Sequence, residues 1–165
     1  MANPLFPDVF VNGEQIASAE IAAEAQNHNA PKDKPGLAWR AAARALVVRA
    51  LILQAAAKAG MEPAPEPRGP GREETATEAL VRAYLDRTLR PEPVTEAQCR
   101  KIYEARPEKA AKLTYDDVVR DIHDGLERAA WTKAARELVA ELVAAADITG
   151  IDMVPESQTA GASAR

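Results

Sequence analysis

The hydrophobic pattern of the chain is organised around one long apolar segment that runs from Gly36 to Gly60. Its apolar residues recur at alternating steps of four and three, which is the spacing of one face of an α-helix. The residues of this predicted face are Trp39, Ala43, Leu46, Ala50, Leu53 and Ala57. Val47 and Leu51 widen the face, and only Arg49 interrupts the middle of the segment. A helix that is apolar on most of its circumference has to be covered by other helices, so the sequence predicts a central, wrapped helix that ends at Gly60.

A second long helical pattern begins after Thr114 and covers roughly thirty residues, which at 1.5 Å per residue is a rod approaching about 50 Å. We expect its apolar residues to lie on one side of the helix. They are Tyr115, Val118, Val119, Ile122, Leu126, Ala130, Ala134, Leu138 and Leu142. Gly125 is a tolerated weak point in this helix.

Two short extended segments stand near the two ends of the chain. Val9–Val11 is β-branched and aromatic, and Asn12–Gly13 after it is a strong turn pair. Ile148–Ile151 resembles a second short strand. The two segments could pair as a small two-stranded ribbon that joins the termini.

Capping and breaking residues divide the rest of the chain into shorter helices. Ser18 is the expected cap of the first helix, and the segments that start at Thr75 and Thr95 have the form of capping boxes. Residues 62–71 hold four prolines and two glycines, which predicts a loop. The fold class that follows is all-α: a helical bundle of about five helices with a long C-terminal helix.

Composition and charge argue against several kinds of function. Aromatic residues make up only 4% of the chain and alanine is abundant, which favours helix-on-helix packing over a sheet. The net charge is −4 without a concentrated basic stretch, so we expect no nucleic-acid partner. One cysteine and two histidines make no convincing zinc site, and we expect neither metal nor cofactor.

The sequence also bears on location. Arg40, Arg44 and Arg49 within the central helix argue against a membrane span. The first ten residues lack the basic start and apolar stretch of a secretory signal. We therefore expect a cytoplasmic protein as the sequence stands, or a periplasmic or exported one if a signal has been removed.

Three segments follow one another along the chain: the run 11–16 followed by a capped helix, the long apolar helix that ends in Ala59–Met61, and the run 94–98 that leads to Ile102–Ala105. In this order they resemble the helical region of parvulin-type peptidyl-prolyl isomerases of the SurA, PrsA and NifM kind. The last helix and residues 148–152 resemble the segment that closes the same region. The resemblance implies a SurA-like chaperone module over 9–152, with an extension at 1–8 and a disordered tail at 153–165.

The chain departs from this family at 108–113. Between the N-terminal part at 9–107 and the closing part at 114–152, the proteins that this sequence resembles carry a parvulin domain, and here a short bridge stands in its place. The resemblance places the isomerase residues in that absent domain, so we predict no catalytic residue in this chain. His28 and His123 are interpreted as ordinary surface or capping histidines, and Cys99 as a half-buried structural thiol.

Aromatic and apolar side chains could line a groove that accepts apolar stretches of an unfolded client. The candidates are Trp39, Leu46, Leu53, Tyr84, Tyr103, Tyr115, Leu126 and Trp131. The alternative for Trp39 and Trp131 is packing in the core where the closing helix meets the central one.

Two functions remain open from the sequence. The resemblance implies a chaperone module that binds peptide or unfolded protein, without isomerase activity in this chain. The alternative is a dimerisation or assembly scaffold that pairs catalytic domains, for example as a domain-swapped homodimer.

Overall fold

In the computed structural model, which describes residues 6–154, six helices and three short strands follow one another. The strands are β1 (Val9–Val11), β2 (Glu14–Ile16) and β3 (Ile148–Thr149). The helices are α1 (Ser18–Ala25), α2 (Pro35–Lys58), α3 (Ala76–Thr88), α4 (Glu96–Glu104), α5 (Pro107–Ala110) and α6 (Tyr115–Ala145). The prediction of a mostly helical chain with a long C-terminal helix is confirmed, with six helices in place of about five.

The strands form an antiparallel sheet in the order β2-β1-β3. β1 pairs with β3, with Phe10 opposite Thr149, so the predicted pairing of the two end segments is confirmed. The ribbon has three strands and not two, because the Asn12–Gly13 turn returns β2 alongside β1. Asn12 and Gly13 have φ values of 52° and 84°, the left-handed pair that a two-residue type I′ hairpin needs.

The chain divides into two compact units. Unit 1 contains the described residues up to Tyr84 together with those from Ala140 onward, and unit 2 is Leu85–Val139. The core of unit 1 consists of Val9, Val11, Ile16, Ile21, Ala42, Ala43, Val47 and Leu51. Leu142, Val143 and Ala146, at the end of α6 and just after it, pack against this core. Segments from both ends of the chain therefore cover the central helix, as the sequence predicts.

The central helix α2 ends as predicted, but its buried face differs from the predicted one. Gly60 has φ 71°, and the Met61 N–H donates to the Ala56 carbonyl at 3.0 Å in a Schellman-type cap. Of the six residues of the predicted face only Ala43 is fully buried. The other fully buried residues of α2 are Ala42, Val47, Leu51, Ile52 and Ala56. Because α2 is apolar nearly all round, periodicity alone does not distinguish its most covered side.

The long helix α6 departs from the prediction that its apolar residues share one side. Each step of four residues turns an α-helix by about 40°, so the ladder from Ile122 to Leu142 turns by about 200°. Its two ends therefore lie on different faces. None of the residues of α6 is fully buried.

Several predicted boundaries can be compared directly with the structure. Thr95 and Gln98 form the predicted capping box of α4, and Thr75 and Glu78 exchange the same pair of bonds before α3. The capping role of Ser18 is wrong, because the N-cap position is Ala17 and Ser18 is already the first helical residue. The bridge at 108–113 begins inside the short helix α5.

Residues 1–5 and 155–165, which include most of the predicted tail, lie outside the described residues. Within the predicted extension, Phe6 stacks on Trp39 with ring centroids 4.7 Å apart. Met153, at the start of the predicted tail, packs against the core of unit 1.

Candidate peptide-binding site

Unit 2 contains an open, largely apolar cavity of about 390 Å³, here called the α4–α6 cavity. Its apolar lining comes from α4, from the turn after α5 and from the first half of α6. These residues are Ile102, Tyr103, Leu113, Val118, Ile122 and Leu126, with Gly125 among them. Ligand pockets in proteins commonly have volumes of roughly 300–1,000 Å³, so the space suits one or two large side chains of a polypeptide.

Tyr103 connects two of the segments that line this cavity. Its hydroxyl lies 2.6 Å from the Leu113 carbonyl oxygen, to which it donates, and 3.2 Å from the Ala110 carbonyl oxygen. This contact fixes the chain after α5 against α4. α4 begins at the Thr95–Gln98 capping box, and α5 begins at Pro107. The Tyr103 hydroxyl thus connects α4 to the end of α5 and to the residues just after it.

Two apolar side chains on the rim of the cavity are open to solvent. Ile102 is 42% exposed and Leu113 is 46% exposed. Large apolar side chains that stay exposed around a concave surface are typical of interaction sites. The cavity can therefore bury further apolar area when a ligand enters it.

The rim also carries charge. Arg106 and Lys109 are basic, and Asp121 is the one acidic residue of the lining. Within the described residues none of these three takes part in a salt bridge. The site thus combines an apolar floor with polar groups that are free to contact a bound chain.

Behind the cavity lies a small aromatic cluster. The Tyr115 ring meets the Tyr103 ring edge-on at 5.7 Å, and the Arg100 guanidinium lies 4.2 Å from the Tyr115 centroid. Burial raises the pKa of the Tyr115 hydroxyl, and this hydroxyl has no hydrogen-bond partner among the described residues. Cys99 is 1% exposed, so it is fully buried where the sequence predicts a half-buried thiol.

A second cavity of about 310 Å³ continues along α6. Leu126 lines both cavities, and Ala130 and Ala134 line the second. From Val118 to Ala134 the axis of α6 rises by about 24 Å. An extended polypeptide of about seven residues spans that length, so the two cavities together can contact a stretch of chain and not only one side chain.

The structure distributes the eight predicted groove residues over both units. Tyr103 and Leu126 line the α4–α6 cavity, and Tyr115 contacts Tyr103 from behind. Leu46 and Leu53 line a different cavity in unit 1. Trp39, also in unit 1, stacks on Phe6, Tyr84 is half-buried, and Trp131 in unit 2 is 45% exposed and hence not a core residue.

Sequence reasoning did not select Leu113 and Gly125 as groove residues. Gly125 was detectable, because a glycine inside a helix costs roughly 1 kcal/mol relative to alanine and so often has a packing or functional reason. Leu113 lies in the bridge that the sequence presents as a spacer. Nothing in that composition indicates a cavity wall.

One side-chain group has the composition of a metal site. His123, Asp124 and Glu127 offer ligand atoms within 4.8 Å of one another on the surface of α6. All three side chains are substantially open to solvent, and acidic residues near a helical histidine are common without a bound ion. The group adds nothing to the α4–α6 cavity.

Comparison of this chain with family models, with curated proteins and with solved structures finds no match. Among the described helices none combines the length and hydropathy needed to cross a bilayer.

Proposed function

We propose that this chain binds unfolded or partly folded polypeptide in the α4–α6 cavity and has no isomerase activity of its own. The observation that supports the proposal is an open apolar cavity whose rim residues Ile102 and Leu113 remain exposed. The order of the sequence segments supports the same proposal, because it resembles the chaperone module of a parvulin-type foldase.

The lining accounts for broad and weak binding. Burying one large apolar side chain contributes about 1.5–3 kcal/mol, so the contacts of one or two of them alone correspond to dissociation constants from about 80 mM down to about 0.04 mM. Such contacts do not select a particular sequence. A long unfolded client offers many such stretches, and the second cavity along α6 adds contacts for the same chain.

The position of the bridge supports a link to a foldase. Lys109 and Leu113, in the bridge at 108–113, line the α4–α6 cavity. In the proteins that the sequence resembles, the catalytic domain enters at this point. A client held in the cavity would then lie next to the inserted domain, which raises the effective concentration of its prolyl bonds there.

Substitutions at Gly125 that place a side chain in the cavity test the proposal. A Cβ added at Gly125 meets only the end of the Arg128 side chain, at 3.9 Å, so larger residues fit the helix. We expect suppression of client aggregation to fall in the order Gly, Ala, Leu, while alanine and leucine make α6 more stable. Loss of stability cannot explain that order.

A matched control is Arg120→Leu, because Arg120 is exposed on α6 and lines none of the cavities described. This variant should suppress aggregation as the native chain does. Proline-limited refolding of a client should keep its rate with every variant, including the native chain. Equal suppression by the Gly125 series, or faster proline-limited refolding, would contradict the proposal.

One observation favours a second candidate function, assembly of two copies. α6 is 31 residues long without a fully buried residue, and Trp131 on it is 45% exposed. A helix face of this kind can pair with a second copy. Sedimentation decides between the functions: a tight dimer that Trp131→Glu dissociates, with no affinity for unfolded protein, favours assembly.

A further inference from the structure

We propose that the free edge of β2 is a second polypeptide site, where an extended segment of a client adds to the sheet as a further strand. The site lies in unit 1, involves none of the residues of the α4–α6 cavity, and goes beyond the function proposed above. It consists of the outer edge of β2 and the α2 residues beside it.

The register of the hairpin leaves one backbone unit unpaired at this edge. In a two-residue hairpin the residues that flank the turn, Val11 and Glu14, form a hydrogen-bonded pair, and so do Val9 and Ile16. Gln15, opposite Phe10, is the residue between them, so its N–H and C=O point away from β1. β2 is an outer strand of the sheet, so among the described residues no further strand pairs with Gln15.

A cavity of about 370 Å³ lies beside this edge. β2 lines one part of it, and the apolar stripe Leu46, Ala50 and Leu53 of α2 lines another. These three residues are only half-buried, although α2 is the central helix of unit 1. An added strand would run next to β2, about 4.8 Å away, and would turn every second side chain toward this stripe.

Gln54 holds the hairpin in place on α2. Its side-chain amide donates to the Val11 carbonyl at 3.1 Å and to the Glu14 carboxylate at 3.0 Å. The same amide accepts a bond from the Asn12 side chain at 2.9 Å. The edge is therefore fixed before a ligand arrives, which lowers the entropy lost on binding.

The charged residues of this cavity and the unpaired backbone groups of β2 together define which ligand fits the site. The unpaired backbone unit of Gln15 requires an extended backbone, and a helix cannot supply its bonds. Glu14 and Glu20 face the cavity together with a single basic residue, Arg49. The best ligand is therefore an extended β-branched segment with basic flanks, drawn from an unfolded client.

The experiment uses the full chain and three short peptides of alternating valine and threonine. One peptide has lysine flanks, one has glutamate flanks, and one has lysine flanks with N-methyl groups on the backbone amides that would pair. We expect the first to bind best. The N-methyl peptide should bind about fivefold more weakly for each backbone bond that it loses, because such a bond contributes about 1 kcal/mol and its side chains are unchanged.

A second measurement locates the contact on the protein. Hydrogen exchange followed by NMR should show that the first peptide protects the Gln15 amide. Gln15→Pro removes this donor at a position where an edge strand tolerates proline, and it should weaken binding of the first peptide about fivefold. Gly125→Leu should leave this binding unchanged, which separates the two sites.

Several results would overturn the proposal. Equal affinity for the N-methyl peptide would show that the backbone does not pair. Tighter binding of the glutamate-flanked peptide would contradict the assignment of the ligand's charge. Protection of Gln15 that depends on protein concentration in the absence of peptide would make a second copy of the chain the occupant.

Discussion

Tyr103 and Tyr115 are neighbours in unit 2 whose hydroxyl groups have opposite surroundings. The Tyr103 hydroxyl donates to a backbone carbonyl, whereas the Tyr115 hydroxyl is buried without a partner among the described residues. Tyr103→Phe should lower the free energy of unfolding by about 1 kcal/mol, since it removes a hydrogen bond. Tyr115→Phe should not lower it, because the hydroxyl that it removes makes no bond. Thermal unfolding of both variants checks this pair, and a larger loss for Tyr115→Phe would contradict it.

Gly150 and Gly60 both have positive φ, at 90° and 71°, but their surroundings differ. A Cβ at Gly60 would meet open space, whereas a Cβ at Gly150 would collide with the Asp8 carbonyl. Gly60→Ala should therefore cost only the left-handed conformation, about 1 kcal/mol, and Gly150→Ala more than about 2 kcal/mol. Denaturant unfolding measures both values. Equal losses would mean that the segment after β3 does not lie against the start of β1.

At the scale of elements, the proline-rich loop before α3 is held by one buried carboxylate. Glu74 is 4% exposed, and its carboxylate accepts bonds from Arg82 at 3.0 Å and from Arg68 at 3.1 Å. The hydrogen bonds from Arg82 lower the pKa of Glu74 from its ordinary value of 4.5, against the opposing effect of burial.

This lowered pKa has a consequence for stability. A group whose pKa is lower in the folded state stabilises the fold above its unfolded pKa, and this contribution is lost as the pH falls through the folded value. The loop should therefore loosen as the pH falls below about 4.5. Glu74→Gln should be less stable than the native chain at pH 7 and should lose less stability on acidification. Unfolding at pH 7 and pH 3 compares them, and equal pH dependence would contradict the role of Glu74.

The elements that the sequence predicts well are those set by local chemistry. The two capping boxes, the end of α2 at Gly60 and the Asn12–Gly13 turn each depend on residues a few positions apart. Glu74 could not have been selected, because its partners Arg68 and Arg82 come together only when the loop folds back. Leu113 was missed as a residue of the α4–α6 cavity for a related reason, because its place in the wall depends on the bond between its carbonyl and the Tyr103 hydroxyl.

Helical periodicity does not identify the buried face of α2 or of α6. In α2 apolar residues surround the helix, so the pattern that marks one face does not report which face is covered. In α6 the steps of four drift round the axis, and a ladder that looks continuous in the sequence changes face. Both effects leave apolar residues half-buried, and such residues line the cavities. They are Leu46 and Leu53 on α2, and Ile122 and Leu126 on α6.

At the scale of the whole molecule, each unit has its own cavity with apolar and polar residues in its lining. Unit 1 offers an edge strand and the stripe of α2, and unit 2 offers the α4–α6 cavity. On the two proposals above, one long unfolded chain carries segments that suit each site, and more than one contact by the same chain raises its overall affinity. We expect Gln15→Pro and Gly125→Leu together to reduce the affinity for a long unfolded protein more than either change does alone. Titration of the double variant measures this, and an effect no larger than that of one change would contradict linked binding.

The central claim is that the α4–α6 cavity binds unfolded polypeptide, and the most direct measurement is the dissociation constant for a permanently unfolded protein whose cysteines are reduced and alkylated. We predict that the native chain binds it and that affinity falls in the order Gly, Ala, Leu at position 125, while Arg120→Leu keeps the native value. No measurable affinity for the native chain, or equal affinity across the Gly125 series, would contradict the account.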